Sequence, residues 1–466
     1  KAGLPRPEGV SVPDAGRERQ HLRAPPRTTL HSALAFFSSL VYKTSPDNSP
    51  TPKIPLLLSP CQKQNLRNTY PRMADLATCL PLTRASVVEA HKLVKPHVHY
   101  TPALTNKTLT ALASTPRSAE DLEGTKWQGR TPAKPVLRLW FKCENLQRIG
   151  AFKVRGAFHA VERLKQEPGW LESGGKEKGV VTHSSGNHAQ ALALAARESG
   201  IPAHIVMPDI SPPNKIAATR GYGANVVFSG STSVEREAVA DRIIAETGAR
   251  LVPPYDHPDI MLGQGTMGLE LQEQVRDLMA AGHSAANPTF NSTGLPSSDD
   301  SKSAPKGLDA IMTPCGGGGM LSGVALSCEG TGVRVFGAEP EFEGADDCKR
   351  GFEAGKRVES VKTLTIADGL RTPVGKHPWS VIYERRLVEG MFSVSEEEIK
   401  AATKLVFERF KLVVEPSGAV PLAVALFNED FRAMVEKEAG EAGWDLGLVF
   451  SGGNVAMEGL LKIFAA

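Results

Sequence analysis

Between residues 179 and 256 short apolar runs alternate strictly with helix-patterned segments, and few architectures accept that rhythm. Gly179-Val180-Val181-Thr182 reads as a buried strand and Asn187 to Ser199 as an Ala-rich helix. Strand His204 to Met207, helix Pro213 to Arg220 and strand Asn225 to Phe228 follow, then helix Val234 to Thr247 and strand Arg250 to Val252. This order predicts a doubly wound parallel sheet. A second set comprises strand Asp309 to Thr313, a helix after Gly319, strand Arg334 to Ala338 and the apolar run Leu446 to Phe450, which reads as another buried strand. The expected fold class is α/β, two doubly wound parallel-sheet domains with a cleft between them. Residues 179–256 form the small domain, and 75–178 with 257–466 the large one. Two polar, Ser/Pro-rich stretches, about 114–134 and 282–306, read as surface insertions too poor in apolar residues to pack.

Residues 1–72 differ from the rest, with 11 Lys/Arg against 4 Asp/Glu, 11 prolines and no sustained periodicity. Two readings stay open: a targeting segment, which would make a mitochondrial address the alternative to the cytoplasm, or a disordered extension up to about residue 74. Proline density speaks against an amphipathic presequence and favours the extension.

A net charge of +3 over 466 residues gives no electrostatic reason to expect nucleic acid or a membrane surface as partner. No apolar run approaches the roughly 18 residues of a membrane span. Six scattered cysteines without CxxC spacing read as free thiols in a reducing compartment, so the expected location is cytoplasmic.

Four segments carry chemistry. Lys153, in Gly150-Ala151-Phe152-Lys153-Val154-Arg155-Gly156, is flanked by apolar and glycine residues that can desolvate its amine into a nucleophile; a surface lysine at a helix start is the plain alternative. His183 to Gln190 lies between a strand and a helix, offering Ser184, Ser185, Gly186, Asn187 and His188 as polar groups or as an ordinary cap. Gly316, Gly317, Gly318 and Gly319, followed by Met320, can wrap an anion at a helix N-terminus. This loop lacks the Gly-Lys-Ser/Thr of a nucleotide loop and the GxGxxG of a dinucleotide site, which suggests a small phosphate. Ser451-Gly452-Gly453-Asn454 puts a hydroxyl at a strand's carboxyl end, where α/β ligands bind.

Taken together, these segments with Ile366-Ala367-Asp368-Gly369 and Glu415-Pro416-Ser417-Gly418 closely resemble the fold-type II pyridoxal-phosphate family, over nearly all of Thr83 to Asn454. Within it the chain looks most like the serine racemases and serine/threonine dehydratases. The alternative of a β-replacing synthase of the same fold is disfavoured, because such synthases usually carry Lys-Asp-Arg and Ser-Gly-Asn-Thr-Gly, whereas this chain has Lys153-Val154-Arg155 and Gly186-Asn187-His188-Ala189. The resemblance implies pyridoxal 5'-phosphate as cofactor, held by Lys153 as a Schiff base with Phe152 against its ring. It implies Asn187 on the ring hydroxyl, Gly316 to Gly319 with Met320 on the phosphate, and Ser451 facing the pyridine nitrogen. Ser184 to His188 would hold the substrate carboxylate, and Ser185 would be the second acid/base, opposite Lys153, that racemisation needs. The expected substrate is a small hydroxy amino acid, L-serine or L-threonine, with 3-hydroxyaspartate as the alternative; the expected assembly is a homodimer.

The resemblance also implies a Mg²⁺ or Ca²⁺ site on Glu339, the Ala345 carbonyl and Asp347, oxygen ligands suited to hard cations. Glu341-Phe342-Glu343-Gly344 makes that loop about two residues longer than the family pattern, so a solvated acidic loop stays open as the alternative. The chain runs only about a dozen residues past Asn454, so the feedback domain of biosynthetic threonine deaminases is not expected.

Overall fold

The computed structural model describes residues 72–285 and 307–465. Most of the 282–306 stretch, and all of 1–71, lie outside them. Along the chain, α1 (Arg84–Val94) starts under a Thr83 cap and buries Val87, Ala90 and Val94 at helical spacing. Strands β1 (Ala103–Thr105) and β2 (Leu137–Cys143) lead into α2 (Lys153–Gln166). Next come β3 (Val180–Thr182), α3 (Asn187–Glu198), β4 (Ala203–Pro208), α4 (Pro213–Gly221), β5 (Asn225–Ser229), α5 (Ser233–Thr247) and β6 (Arg250–Leu251). Helix α5 begins with a capping box between Thr232 and Glu235 and ends on left-handed Gly248, which is why its limits follow the sequence pattern closely. The long α6 (Pro258–Ala280) precedes β7 (Ala310–Pro314), α7 (Gly319–Cys328), β8 (Arg334–Pro340), α8 (Asp347–Ala354), β9 (Gly390–Val394), α9 (Pro416–Phe427) and β10 (Trp444–Phe450).

Two sheets result, ordered β5-β4-β3-β6 and β1-β2-β10-β7-β8-β9. The smaller is parallel throughout. The larger departs from the parallel expectation at one edge, where three-residue β1 pairs antiparallel to β2. Strand β10, buried along its whole length, lies between β2 and β7, which explains its uninterrupted apolar character.

Helix α6 sets the position of the site. A Cβ on Gly263 would come within 2.7 Å of the Gly156 Cα, and one on Gly265 within 2.5 Å of the Gly323 carbonyl oxygen. Glycine at these crossings lets α6 lie directly against both α2 and α7, whose N-termini carry Lys153 and the glycine loop. Arg155 locks α2 from within. Its guanidinium donates to both Glu144 oxygens at 2.8 Å and to both Glu270 oxygens at 2.7 and 2.8 Å, and Lys142 Nζ donates to Glu270 at 2.7 Å. All four charged groups are buried.

The 114–134 stretch corrects the surface-insertion reading. Leu122, Trp127 and Ala133 are buried, and Glu429 accepts from the Ala133 N–H at 2.8 Å, so a few well-placed apolar side chains suffice to dock a polar segment. At the other end of the expected small domain, Met73 bridges Leu251, so residues 72–74 lie along its sheet rather than apart from it. The five described cysteines are free thiols, and no described helix is long and apolar enough to cross a membrane.

Candidate active site

The loops after β2, β3, β7 and β10 carry the four chemistry-bearing segments, all beyond strand carboxyl ends. Lys153 opens α2, and its Nζ donates to the Pro254 carbonyl at 2.7 Å and lies 5.2 Å from the centre of the Phe152 ring. Burial pushes its pKa from 10.5 down to about 8, while the Glu415 carboxylate pulls the other way. The free amine is therefore reachable near neutral pH.

Residues 150–152 run beside 451–453. The Phe152 N–H donates to the Ser451 carbonyl at 3.0 Å, Ala151 bridges Gly452, and the Gly453 N–H donates to Gly150 at 2.9 Å. Ser451 is buried at the end of β10. Asn187 Nδ2 donates to Glu415 Oε1 at 2.9 Å, and its Oδ1 accepts from Asn454 Nδ2 at 2.8 Å. Asn454 Nδ2 also donates to the Ile149 carbonyl at 2.7 Å. Burial, reinforced by Asp368, raises the Glu415 carboxyl to about 7. Glu415 and Pro254 are site residues the sequence reading leaves without a role. Glu415 stands in one of the matching stretches, whereas the Pro254 carbonyl has no sequence signal.

Ser184, Ser185 and Gly186 form the turn into α3. Gly186 is the N-cap and no side chain caps the helix; the contact from the Gly186 N–H to Ser184 Oγ is long, at 3.5 Å. The ordinary-cap reading of Ser185 and Asn187 therefore does not hold. His188 is drawn inward. Its Nε2 is 3.0 Å from the Val252 carbonyl, and burial, with the Lys153 charge nearby, pushes its pKa to about 3. The ring is neutral, donates from Nε2, and ties α3 to the end of β6.

The glycine loop suits a phosphate. Gly318 has φ +83°, a Cβ on Gly317 would fall 2.3 Å from the Tyr255 ring, and one on Gly316 would fall 2.9 Å from the Leu370 Cα. The loop ends at the start of α7, where Gly319 and Met320 begin the helix and its first N–H groups have no intrahelical acceptor. The desolvated amine, the glycine cradle and the Phe152 ring fit pyridoxal phosphate.

Glu339, Ala345 and Asp347 are all buried beside this loop. Glu339 accepts from the Cys348 and Lys349 N–H groups at 3.0 and 2.8 Å. Asp347 Oδ2 accepts from the Val374 N–H at 3.0 Å, while its buried Oδ1 has no hydrogen-bond partner among the described residues. Burial raises both carboxyls, Asp347 to about 7. Two desolvated carboxylates with an orphaned oxygen fit a cation better than the solvated-loop alternative. The loop between Glu339 and Ala345 makes a tight turn at Phe342–Gly344, with Glu343 and Gly344 both at positive φ.

A model of the family described as "Pyridoxal-phosphate dependent enzyme" matches residues 125–439. Serine racemase of Arabidopsis thaliana is 39% identical over 381 residues, covering 81% of this chain and 95% of the relative. L-threo-3-hydroxyaspartate ammonia-lyase of Saccharomyces cerevisiae is 35% identical, covering 81% and 94%. The solved structure of maize serine racemase superposes with a TM-score of 0.64 at 35% identity, covering 84% of this chain and 97% of that one. The chain belongs to the pyridoxal-phosphate-dependent enzyme family.

Proposed function

We propose that this protein eliminates water from L-serine and L-threonine, giving a 2-oxo acid and ammonia, and racemises serine as a side reaction. The observation that carries the reading is the Lys153 amine, desolvated at the head of α2 and, among the described residues, hydrogen-bonded to a neutral carbonyl, Pro254. Pyridoxal phosphate, when bound, supplies an electron sink that makes the substrate Cα–H acidic. Lys153 Nζ would hold the cofactor at rest and, as a free amine, would take the substrate Cα proton. Phe152 holds the ring, Asn187 the ring hydroxyl, and the N–H groups of Gly316 to Met320 the phosphate. Ser451 would offer the ring nitrogen a neutral hydroxyl rather than a carboxylate, a partner that would favour loss of the β-hydroxyl. The turn Ser184 to His188 holds the substrate carboxylate, mainly through backbone N–H groups, since the His188 ring is engaged with Val252. Ser185 exchanges the proton on the face opposite Lys153. A divalent cation on Glu339 and Asp347, Mg²⁺ or Ca²⁺ where only oxygens such as the Ala345 carbonyl complete its shell, would brace the loop beside the phosphate.

The yeast relative favours one second reading, elimination from 3-hydroxyaspartate. Steady-state rates of oxo-acid and ammonia formation from L-serine, D-serine, L-threonine and 3-hydroxyaspartate test both. Turnover on L-serine or L-threonine at least tenfold above hydroxyaspartate supports the first reading; the reverse order supports the second. No ammonia from any of them contradicts both.

A further inference from the structure

Cys315 lies immediately before the glycine loop and Cys348 immediately after Asp347. Both are buried, and Cys315 Sγ, Cys348 Sγ and a Glu339 carboxylate oxygen all lie within 4.8 Å of one another. Asp347 adjoins Cys348 at the start of α8. Asp347 also brings the buried Oδ1 that lacks a hydrogen-bond partner among the described residues. We infer that Cys315, Cys348, Glu339 and Asp347 form a closed S₂O₂ site for a thiophilic divalent ion of the Zn²⁺ class, in preference to the hard cation that oxygen ligands alone would select.

The geometry is close to what such an ion needs. A tetrahedral centre with metal–sulfur bonds of ~2.3 Å holds its two sulfurs about 3.8 Å apart. The two sulfurs and the Glu339 oxygen, now within 4.8 Å of one another, reach that spacing by converging about 1 Å, and Asp347 supplies the fourth ligand. Thiolates select borderline and soft metals, whereas Mg²⁺ and Ca²⁺ take oxygen ligands. Binding displaces the two thiol protons, and any proton held by the two carboxyls, to solvent and changes no oxidation state. The resulting four negative ligands around a dipositive ion match the charge of a four-cysteine structural zinc site. The Cys348 and Lys349 N–H groups on Glu339, and the Val374 N–H on Asp347, are already placed to orient both carboxylates. The consequence is mechanical. Cys315 precedes Gly316, and the Gly375 N–H, next to Val374, donates to the Gly317 carbonyl at 3.1 Å. The ion would therefore clamp the glycine loop at its base and through Val374-Gly375. The inference does not rest on the reaction proposed above.

The test is cobalt titration of the full chain, stripped with chelator under reducing conditions and read by absorbance and by melting temperature. The expected result is intense visible absorption with a sulfur-to-metal band, characteristic of tetrahedral thiolate-bound Co²⁺, saturating at about one equivalent and displaced by Zn²⁺. Cys315→Ala and Cys348→Ser should each lose most of the sulfur-to-metal band. Wild-type protein that gives no such band, yet gains melting temperature from Mg²⁺, overturns the thiol site and leaves the hard-cation reading intact. That arm needs no variant, so a variant that fails to fold does not blunt the test. A full band in both folded cysteine variants overturns the proposal equally.

Discussion

The Phe152 N–H donates to the Ser451 carbonyl at 3.0 Å, so the residue preceding the nucleophilic lysine is hydrogen-bonded to the residue at the end of the buried central strand β10. Lys153 and Ser451 are thus set by backbone contacts between segments about 300 residues apart. The rigidity of those contacts depends on α2, and α2 depends on Arg155.

Arg155→Met should cost about 3–5 kcal/mol of stability, because it strips the guanidinium from two buried carboxylates. Glu144 suffers most, since Glu270 keeps Lys142 at 2.7 Å. Chemical denaturation of the wild type and variant measures this. A loss below about 1 kcal/mol would mean that the network contributes little.

Cofactor capture should report the Lys153 pKa directly. A folded-state value of about 8 leaves about a tenth of the amine free at pH 7, against less than a thousandth for an ordinary lysine at 10.5. The rate at which cofactor-free protein regains absorbance with pyridoxal phosphate should rise tenfold per pH unit below about 8 and level off above it. A rate still climbing tenfold per unit at pH 9.5 would assign Lys153 an ordinary pKa.

Removal of divalent ions should lower the melting temperature by a few degrees, since an ion that binds only the folded state stabilises it. Glu339→Ala should abolish the response to chelator, because Glu339 belongs to either ligand set. Unchanged melting curves of the wild type with chelator and with added divalent ions would remove the site.

Much of this was legible in the sequence because β3 and β4 are largely buried apolar runs and α5 is bounded by a capping box and a left-handed glycine. The 179–256 alternation reappears as β3 to β6 with α3, α4 and α5 at nearly the same limits. What the sequence could not convey is pairing at a distance. Nothing local links Lys153 to Pro254, Asn187 to Glu415, or Cys315 to Cys348. Three-residue β1 is too short to carry a period, and buried Trp127 was masked by its polar surroundings. The placement of His188 turns on one contact with Val252, which no motif announces.

Ser185→Ala separates racemisation from elimination. With Gly186 as an uncapped N-cap, loss of the Ser185 hydroxyl removes no helix cap, so stability should change by less than the ~1 kcal/mol of a lost cap. D-serine reactions should fall by roughly a hundredfold or more, while L-serine elimination keeps most of its rate. Rates on both enantiomers decide this. An equal fall in both would make Ser185 a substrate-positioning residue.

The most direct measurement is Lys153→Ala, assayed by absorbance and by ammonia release from L-serine. The variant should fold as the wild type does, lose the lysine-bound cofactor absorbance, and lose turnover by roughly a thousandfold or more. Substantial L-serine turnover by that variant, without added amine, would contradict the assignment of Lys153 and the function built on it.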